Sequence, residues 1–332
     1  MELERSIRVA VIGCGLIGQK RARSLAPCAS LAVCCDTDLA RAESLARERA
    51  GAIATTDWQA AAARDDIDAV FVCTTHDFLA PVAEFAASQG KHVFIEKPAA
   101  RNAAELDQVA RAAEKTGARV RIGFNHRYHR SLQKAREIYD SGVLSELMFI
   151  RARYGHGGRL GYDREWRAVA EISGGGEAID QGTHLIDLAR WFLGDLKFVA
   201  GRAPTCFWNM PVEDNAFFLL ETDSRQVAFL HASWTEWKNL FSFEICGRMG
   251  KLEITGLGGS YGTERLAHYQ MLPEMGPPPT TIYEYPMPDN SWEVEVQEFL
   301  TDIRLKRPPQ PGLSDARAAL ELVAQLYARS RS

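Results

Sequence analysis

Six residues near the amino end constrain this chain more than any others: Gly13-Cys14-Gly15-Leu16-Ile17-Gly18, set between the apolar run Ile7 to Ile12 and a helix-forming stretch from Gln19 to Leu25. A strand that feeds such a loop and then a helix is the opening of a doubly wound sheet, and each glycine has its own task. Gly13 allows the tight turn, Gly15 lets a pyrophosphate approach the backbone, and Gly18 permits close packing of helix on strand, with the helix amino end turned to the phosphates. A second strand, Leu31 to Cys35, ends in Asp36, 18 positions after Gly18 and placed to receive the adenosine ribose hydroxyls. Its charge would repel a 2′-phosphate, and Thr37 and Asp38 follow instead of a cation, so NAD(H) is favoured over NADP(H).

The alternation continues. Helical Trp58 to Ala63 precedes a strand at Ala69 to Cys73, Pro81 to Ser88 precedes Val93 to Ile95, and Ala103 to Lys115 precedes Arg119 to Phe124. That order implies a parallel, doubly wound α/β sheet. With 332 residues the chain exceeds one ordinary core, so two domains are expected, a dinucleotide-binding domain over 1–123 and a second over 124–332. Hydrophobic residues at 46% and charged residues at 25% are globular values, and no window holds the roughly 18 uncharged apolar residues of a membrane span. Met1 to Arg5 lacks the basic, apolar and cleavage segments of an export signal, so the cytoplasm is the expected address. A net charge of -4 without a basic cluster argues against nucleic acid, and the seven cysteines, with Cys14, Cys34, Cys35 and Cys73 in or beside apolar strands, suggest neither disulfides nor zinc.

After Asn125 the texture changes to a helix, Ser131 to Ser141, and then to strand-like runs at Leu147 to Tyr154, Leu196 to Gly201, Ala216 to Glu221, Gln226 to Trp234, Leu240 to Cys246 and Lys251 to Thr255. Turn residues between them favour antiparallel pairing, so an α+β domain with a large, mostly antiparallel open sheet is expected. Gly256 to Thr280 reads as a long loop or edge strand, and the helices Trp292 to Ile303 and Ser314 to Arg329 close the chain. One face of the sheet should pack on helices, and the other surface suits a homodimer or homotetramer.

Two segments outside the glycine loop carry chemistry. Glu96-Lys97-Pro98 follows the apolar run His92 to Ile95, which puts a lysine at the carboxyl edge of the parallel sheet, where such sheets bind ligands. Gly174-Gly175-Gly176 precedes Glu177 to His184, in which Asp180 and His184 are four apart and would share one helix face. The glycines would let the backbone approach a ligand or the other domain. Cys73-Thr74-Thr75-His76 should lie at the nicotinamide side of the crevice, with His76 either touching cofactor or capping the next helix.

These blocks together resemble the glucose-fructose oxidoreductase, inositol dehydrogenase and rhizopine catabolism (Gfo/Idh/MocA) family over essentially the whole chain. Gly13 to Gly18 with Asp36, Glu96-Lys97-Pro98, and the Asp180 to His184 helix preceded by Trp166-Arg167 carry the match. The resemblance implies a Rossmann domain, a sheet domain that assembles dimers or tetramers, and substrates that are sugars, nucleotide sugars or cyclitols. It makes Lys97 and His184 the acid/base candidates and Asp180 the residue that positions hydroxyls. Leu16, Ile17, Glu96, Trp166 and Arg167 then join the cofactor-contacting set. The run Thr74-Thr75-His76, with Leu79 at a later histidine position, departs from the family's usual Thr-Pro-Asn pattern.

The expected reaction moves hydride between a secondary carbinol and nicotinamide. His184 exchanges the hydroxyl proton while Lys97 stabilises the alkoxide, or the two exchange roles. Asn125, Arg127 and Tyr128 open the second domain and are candidates for sugar hydroxyls. Tyr154, His156 and Arg159, followed by Arg164 and Arg167, form a loop that could receive a phosphate, and Trp234 or Trp237 could stack on a pyranose. An inositol or other cyclitol dehydrogenase, an NAD-dependent glycoside hydrolase and a non-catalytic cofactor-binding regulator are the competing readings.

Overall fold

The computed structural model describes residues 5–25, 29–274 and 276–330. The chain divides into two compact units. The first comprises the chain through Phe124 together with 172–174 and 292–318, and the second comprises 125–171, 175–291 and the chain from Ala319.

In the first unit, strands β1 (Ile7–Ile12), β2 (Ala29–Cys35), β3 (Ile53–Thr55), β4 (Ala69–Val72), β5 (His92–Glu96) and β6 (Val120–Gly123) alternate with helices α1 (Leu16–Arg23), α2 (Leu39–Ala46), α3 (Trp58–Ala63), α4 (His76–Ser88) and α5 (Leu106–Thr116). The strands form one parallel sheet in the order β3-β2-β1-β4-β5-β6, so the winding reverses between β1 and β4. Register aligns Ile12 with Cys35 and Val72, Val72 with Ile95, and Glu96 with Gly123. Gly13, Cys73 and Lys97 therefore leave the sheet at the same carboxyl edge.

Two helices begin earlier than the sequence suggested. α1 starts at Leu16 because Gly15 serves as its amino-terminal cap and accepts from Gln19 N at 3.0 Å. α4 starts at His76 and carries Pro81 inside it, on the exposed side where a carbonyl deprived of its donor can turn to water.

The second unit contains α6 (Arg130–Asp140), β7 (Leu147–Gly155), α7 (Ala170–Ser173, which contributes Ile172 and Ser173 to the first unit), α8 (Glu177–Asp180), α9 (Gly182–Leu193) and β8 (Lys197–Arg202). β9 (Asn215–Glu221), β10 (Val227–Ser233), β11 (Leu240–Gly247), β12 (Gly250–Thr255), β13 (Glu264–Gln270) and β14 (Thr280–Tyr285) follow. They form an eight-stranded sheet, β14-β13-β12-β11-β7-β10-β9-β8. Pairing is antiparallel except between β10 and β7, which run parallel, so the sheet is mostly antiparallel, as expected of these runs. The 256–280 segment is not one loop: Glu264–Gln270 alternates well enough to pair on both sides, and β14 continues the sheet to its edge. Helices α6 and α9 pack on the sheet, burying Ile150, Ala152, Phe241, Phe243 and Leu230.

Helices α10 (Ser291–Leu305) and α11 (Leu313–Ser330) complete the order. Residues 292–318 belong to the first unit, although the sequence reading placed them in the second domain. The reason lies in the packing. Phe299 sits 5.9 Å from Phe71 and 5.6 Å from Phe94 in ring centroids, and all three are fully buried. Among the described residues the six cysteines are free, no helix is long and apolar enough to cross a membrane, and no group of three His, Cys, Asp or Glu could hold a metal.

Candidate functional site

The first unit supplies a dinucleotide cradle. Gly13 takes φ +93°, donates to Cys35 O at 2.8 Å, and lies so close to β4 that a Cβ there would stand 2.4 Å from Cys73 O. Gly18, inside α1, would meet Gly13 O at 1.8 Å if it carried a Cβ, which explains why the helix can lie so close to the turn. Gly15 differs, because nothing lies within 4 Å of its Cβ position. The space above Gly15 opens at a helix amino end that has no side-chain cap and no acidic residue in its first turn, as an incoming pyrophosphate requires.

Asp36 stands beside this cradle, half-buried, with Oδ2 accepting from Cys14 N at 2.7 Å and Oδ1 accepting from Asp38 N at 2.9 Å. Each oxygen keeps a lone pair, so the carboxylate is aimed by backbone and can still accept from ribose hydroxyls. The residues present thus fit a dinucleotide.

Along the same edge, Thr74 Oγ1 donates to Thr75 O at 3.0 Å, and Thr75 Oγ1 donates to Asp77 at 2.6 Å. His76 is buried at the start of α4, its Nδ1 2.8 Å from Ser173 O, so the ring is tied to the 172–174 segment. Lys97 is half-buried directly after β5. Its neighbour Glu96 is paired with Arg21 of α1, a fully buried guanidinium that also meets Glu295 at 2.6 Å and lies between the rings of Phe94 and Trp292. Burial pushes the Glu295 carboxyl up to about 7, Arg21 working against the rise and Glu96 adding to it. Neither Arg21 nor Glu295 was singled out from sequence, where an arginine in a helix and a glutamate near the carboxyl end look like surface residues.

The second unit holds Asp180 and His184. Asp180 and His184 are not on one continuous helix as expected. α8 ends at Asp180, Gln181 makes the joint, and His184 N donates to Gln181 O at 3.1 Å. Asp180 Oδ2 accepts from Arg167 Nε at 3.1 Å, and the Arg167 guanidinium lies 4.5 Å from the Trp166 ring.

The triple glycine is explained by close approach within each unit. A Cβ at Gly175 would meet the Tyr327 hydroxyl at 1.9 Å, and one at Gly176 would meet Glu213 O at 1.9 Å. Gly174, at φ +80°, passes Arg101 with 2.9 Å between its Cβ position and Arg101 Cα. Glu213 accepts from Gly176 N and Ala178 N, at 3.1 and 3.0 Å, and from the Tyr327 hydroxyl at 2.7 Å, while burial pushes its pKa up. It fixes the start of α8 and was missed, though Glu213-Asp214 before an apolar strand was a visible signal.

His184 is buried, and its ring stacks on that of His126 with centroids 3.7 Å apart and planes 22° apart. Tyr154 meets both rings edge-on, at 5.0 Å from His126 and 6.2 Å from His184. Burial, with Tyr261 next, pushes the Tyr154 phenol well above its ordinary value. Of the other substrate candidates, Asn125 Nδ2 donates to Ser291 Oγ at 3.1 Å, and Arg127 is buried against Asp187 through two bonds of 2.8 and 2.6 Å. Tyr128 is buried, His156 Nδ1 accepts from Gly158 N at 3.0 Å, and Arg159 is exposed and paired with Glu165, as Arg164 is exposed beside it. Trp234 is wholly buried, whereas Trp237 is 73% exposed.

Residues 7–124 match the model described as oxidoreductase family, NAD-binding Rossmann fold, and residues 132–253 match that of the GFO/IDH/MocA C-terminal domain. The chain belongs to the Gfo/Idh/MocA oxidoreductase family. D-glucoside 3-dehydrogenase of Escherichia coli (strain K12) is 32% identical over 193 residues, 57% of this chain and 54% of that protein. The match thus spans about half the length of that relative. The scyllo-inositol 2-dehydrogenase (NAD(+)) of Bacillus subtilis (strain 168) is 27% identical over 335 residues, 96% of this chain and 93% of the relative. A levoglucosan dehydrogenase solved with NADH and levoglucosan shares the fold at a TM-score of 0.85 and 20% identity, covering 98% of this chain and 97% of that one. This Gfo/Idh/MocA member therefore has an NAD-binding first domain, and the match to the family's carboxyl-terminal domain takes in α6 to α9 and strands β7 to β12 of the eight-stranded sheet, β12 all but its last residues.

Proposed function

We propose that the chain is an NAD(H)-dependent oxidoreductase that moves hydride between nicotinamide and a secondary alcohol or ketone of a sugar or nucleotide sugar. The observation that carries it is Lys97 at the carboxyl edge of β5, one strand from the β1–β4 reversal where the Gly13 to Gly18 cradle opens. A nicotinamide dinucleotide supplies the hydride acceptor or donor. Within this reading the first unit holds the cofactor and the second holds the substrate and, through its sheet, a second copy of the chain. Asp36 accepts from the ribose hydroxyls and repels a 2′-phosphate, which favours NAD(H) over NADP(H).

His184 exchanges the hydroxyl proton, since a neutral imidazole accepts and an imidazolium returns it near neutral pH. The Lys97 ammonium donates to the same oxygen as charge develops there. Asp180, aimed by Arg167, accepts from a neighbouring substrate hydroxyl. The glucoside and inositol in the relatives' names support a polyhydroxylated ring as substrate, with a cyclitol the second choice.

A 340 nm screen with NAD and NADP against sugars, nucleotide sugars and inositols tests this. Net NADH formation is expected, and leaving-group release without net NADH would point to the hydrolase chemistry instead. Lys97→Ala should bind NADH yet lose about 10² to 10⁴ in kcat. Full turnover in that variant would refute the assignment.

A further inference from the structure

Three segments at one end of the eight-stranded sheet, 156–165 after β7, 203–214 before β9 and 234–239 between β10 and β11, meet in an aromatic cluster. Its inner layer is closed. Tyr162 and Trp234 are buried with ring centroids 4.9 Å apart, and Trp208, 6.0 Å from Tyr162, donates from Nε1 to Trp234 O at 3.0 Å. The outer layer is open. Phe207 is 57% and Trp237 73% exposed, and their rings meet edge to face at 4.8 Å.

The backbone beneath these exposed rings is fixed. Asp214, fully buried, accepts from Cys206 N at 2.8 Å, Phe207 N at 2.7 Å and Trp208 N at 2.9 Å, so one carboxylate holds three consecutive amides. A Cβ at Gly157 would stand 3.3 Å from Trp237 Cα, and one at Gly158 2.6 Å from the Trp208 ring, so the glycines let the segments close on each other. Neighbouring apolar rings left in water mark a binding surface, and rings already held in place lose little freedom when a ligand stacks on them.

Position and charge narrow the ligand. Tyr154, whose ring meets that of His184 at 6.2 Å, is the penultimate residue of β7, and the 156–165 segment leaves the strand directly after Gly155. Ala168, next to the Arg167 that holds Asp180, packs in one cluster with Tyr162 and Trp234, and burial followed by the Asp180 charge pushes the Tyr162 phenol up. The inner layer thus borders the residues proposed to hold the reacting ring. Phe207 lies one ring contact beyond it, 5.2 Å from Trp208, where a group attached to that ring would reach. The segments carry no excess of cations: Arg159 is paired with Glu165, Arg164 follows Asp163, and Lys238 stands two residues from Glu236. A diphosphate finds no net positive charge there, whereas a neutral sugar can lay its C–H face on the aromatic rings and keep its hydroxyls in water.

We propose that Phe207 and Trp237 form a second-ring subsite, which stacks a neutral sugar linked glycosidically to the ring that is oxidised. This rests on the function proposed above and narrows its substrate to a neutral glycoside of at least two rings.

The test pairs turnover with binding. The full chain with NAD+ is assayed at 340 nm on glucose, galactose, cellobiose, maltose, lactose, trehalose and UDP-glucose, and the disaccharides are followed by saturation-transfer NMR on the NADH-loaded protein. At least one disaccharide should exceed its monosaccharide in kcat/KM by about tenfold. Trp237→Ala should cut that advantage by about tenfold, through KM, and weaken saturation transfer to the second ring. Phe207→Ala, also at an exposed position, should do the same and serves if the first variant fails to fold. An advantage that survives in both variants overturns the proposal, as does UDP-glucose outperforming every disaccharide or the absence of any disaccharide binding. A smaller oligomer by light scattering in either variant, with the substrate ratio intact, would show that a second copy of the chain covers the rings, and this too overturns it. If a disaccharide binds and loses its second-ring contact in Trp237→Ala yet never reduces NAD+, the oxidoreductase reading falls and the subsite stands.

Discussion

At the scale of single residues, Asp36 shows how a side chain identified from spacing acquires a definite geometry. Its oxygens are oriented by Cys14 N and Asp38 N, so the carboxylate is rigid before any ligand arrives. Asp36→Asn keeps an acceptor for Cys14 N and removes the charge that repels a 2′-phosphate. The ratio of NADH to NADPH affinity should fall by about tenfold or more, read as two Kd values from nicotinamide fluorescence, equivalent to about 1.4 kcal/mol. An unchanged ratio would show that Asp36 does not select the cofactor. The place of such a residue is legible because spacing from a fingerprint sets it beside the glycine loop. His126 was not legible. Its stacking partner lies 58 positions away on α9, and nothing in Asn125-His126-Arg127 marks the ring as stacked and not solvated.

At the scale of elements, the strands and most helices were legible in period and in turn chemistry, while the joints were not. Asp180 and His184 have helical spacing, yet α8 is only four residues long and ends between them. The cause is tertiary: Glu213 fixes the amino end of α8 by accepting from Gly176 N and Ala178 N, and Tyr327 of α11 holds Glu213 in turn. Tyr327→Phe keeps the buried ring and deletes one hydrogen bond to that carboxylate. It should cost about 1 to 3 kcal/mol in urea unfolding. If the element argument is right, kcat should fall beyond what the lost stability explains, because Asp180 is carried by the helix whose start has loosened. A variant as stable and active as the parent would show that Gly176 N and Ala178 N suffice to hold Glu213.

At the scale of the whole molecule, the sequence order of domains concealed a return of the chain. Residues 292–318 belong with the first unit because Phe299 completes the Phe71–Phe94 cluster and Glu295 meets Arg21 beneath the Glu96-Lys97 edge. A distant helix with a modest apolar face gives no local sign of which core it fills. The return also places a buried acid among charges. Arg21 meets both Glu96 and Glu295, while Arg121 and Arg307 both pair with Asp302, and Glu295, pushed up to about 7 by its burial, keeps the proton. In the unfolded chain a glutamate titrates near its ordinary value of about 4.3. Between those values the folded state binds more protons than the unfolded one, so stability is full below the lower value and declines as pH rises through the upper. Glu295→Gln retains the shape and removes the titration. In urea melts between about pH 4.5 and 8 the parent should lose on the order of 3 kcal/mol that the variant does not. Parallel pH curves for the two proteins would show that Glu295 is ionised throughout, in the folded and the unfolded chain alike.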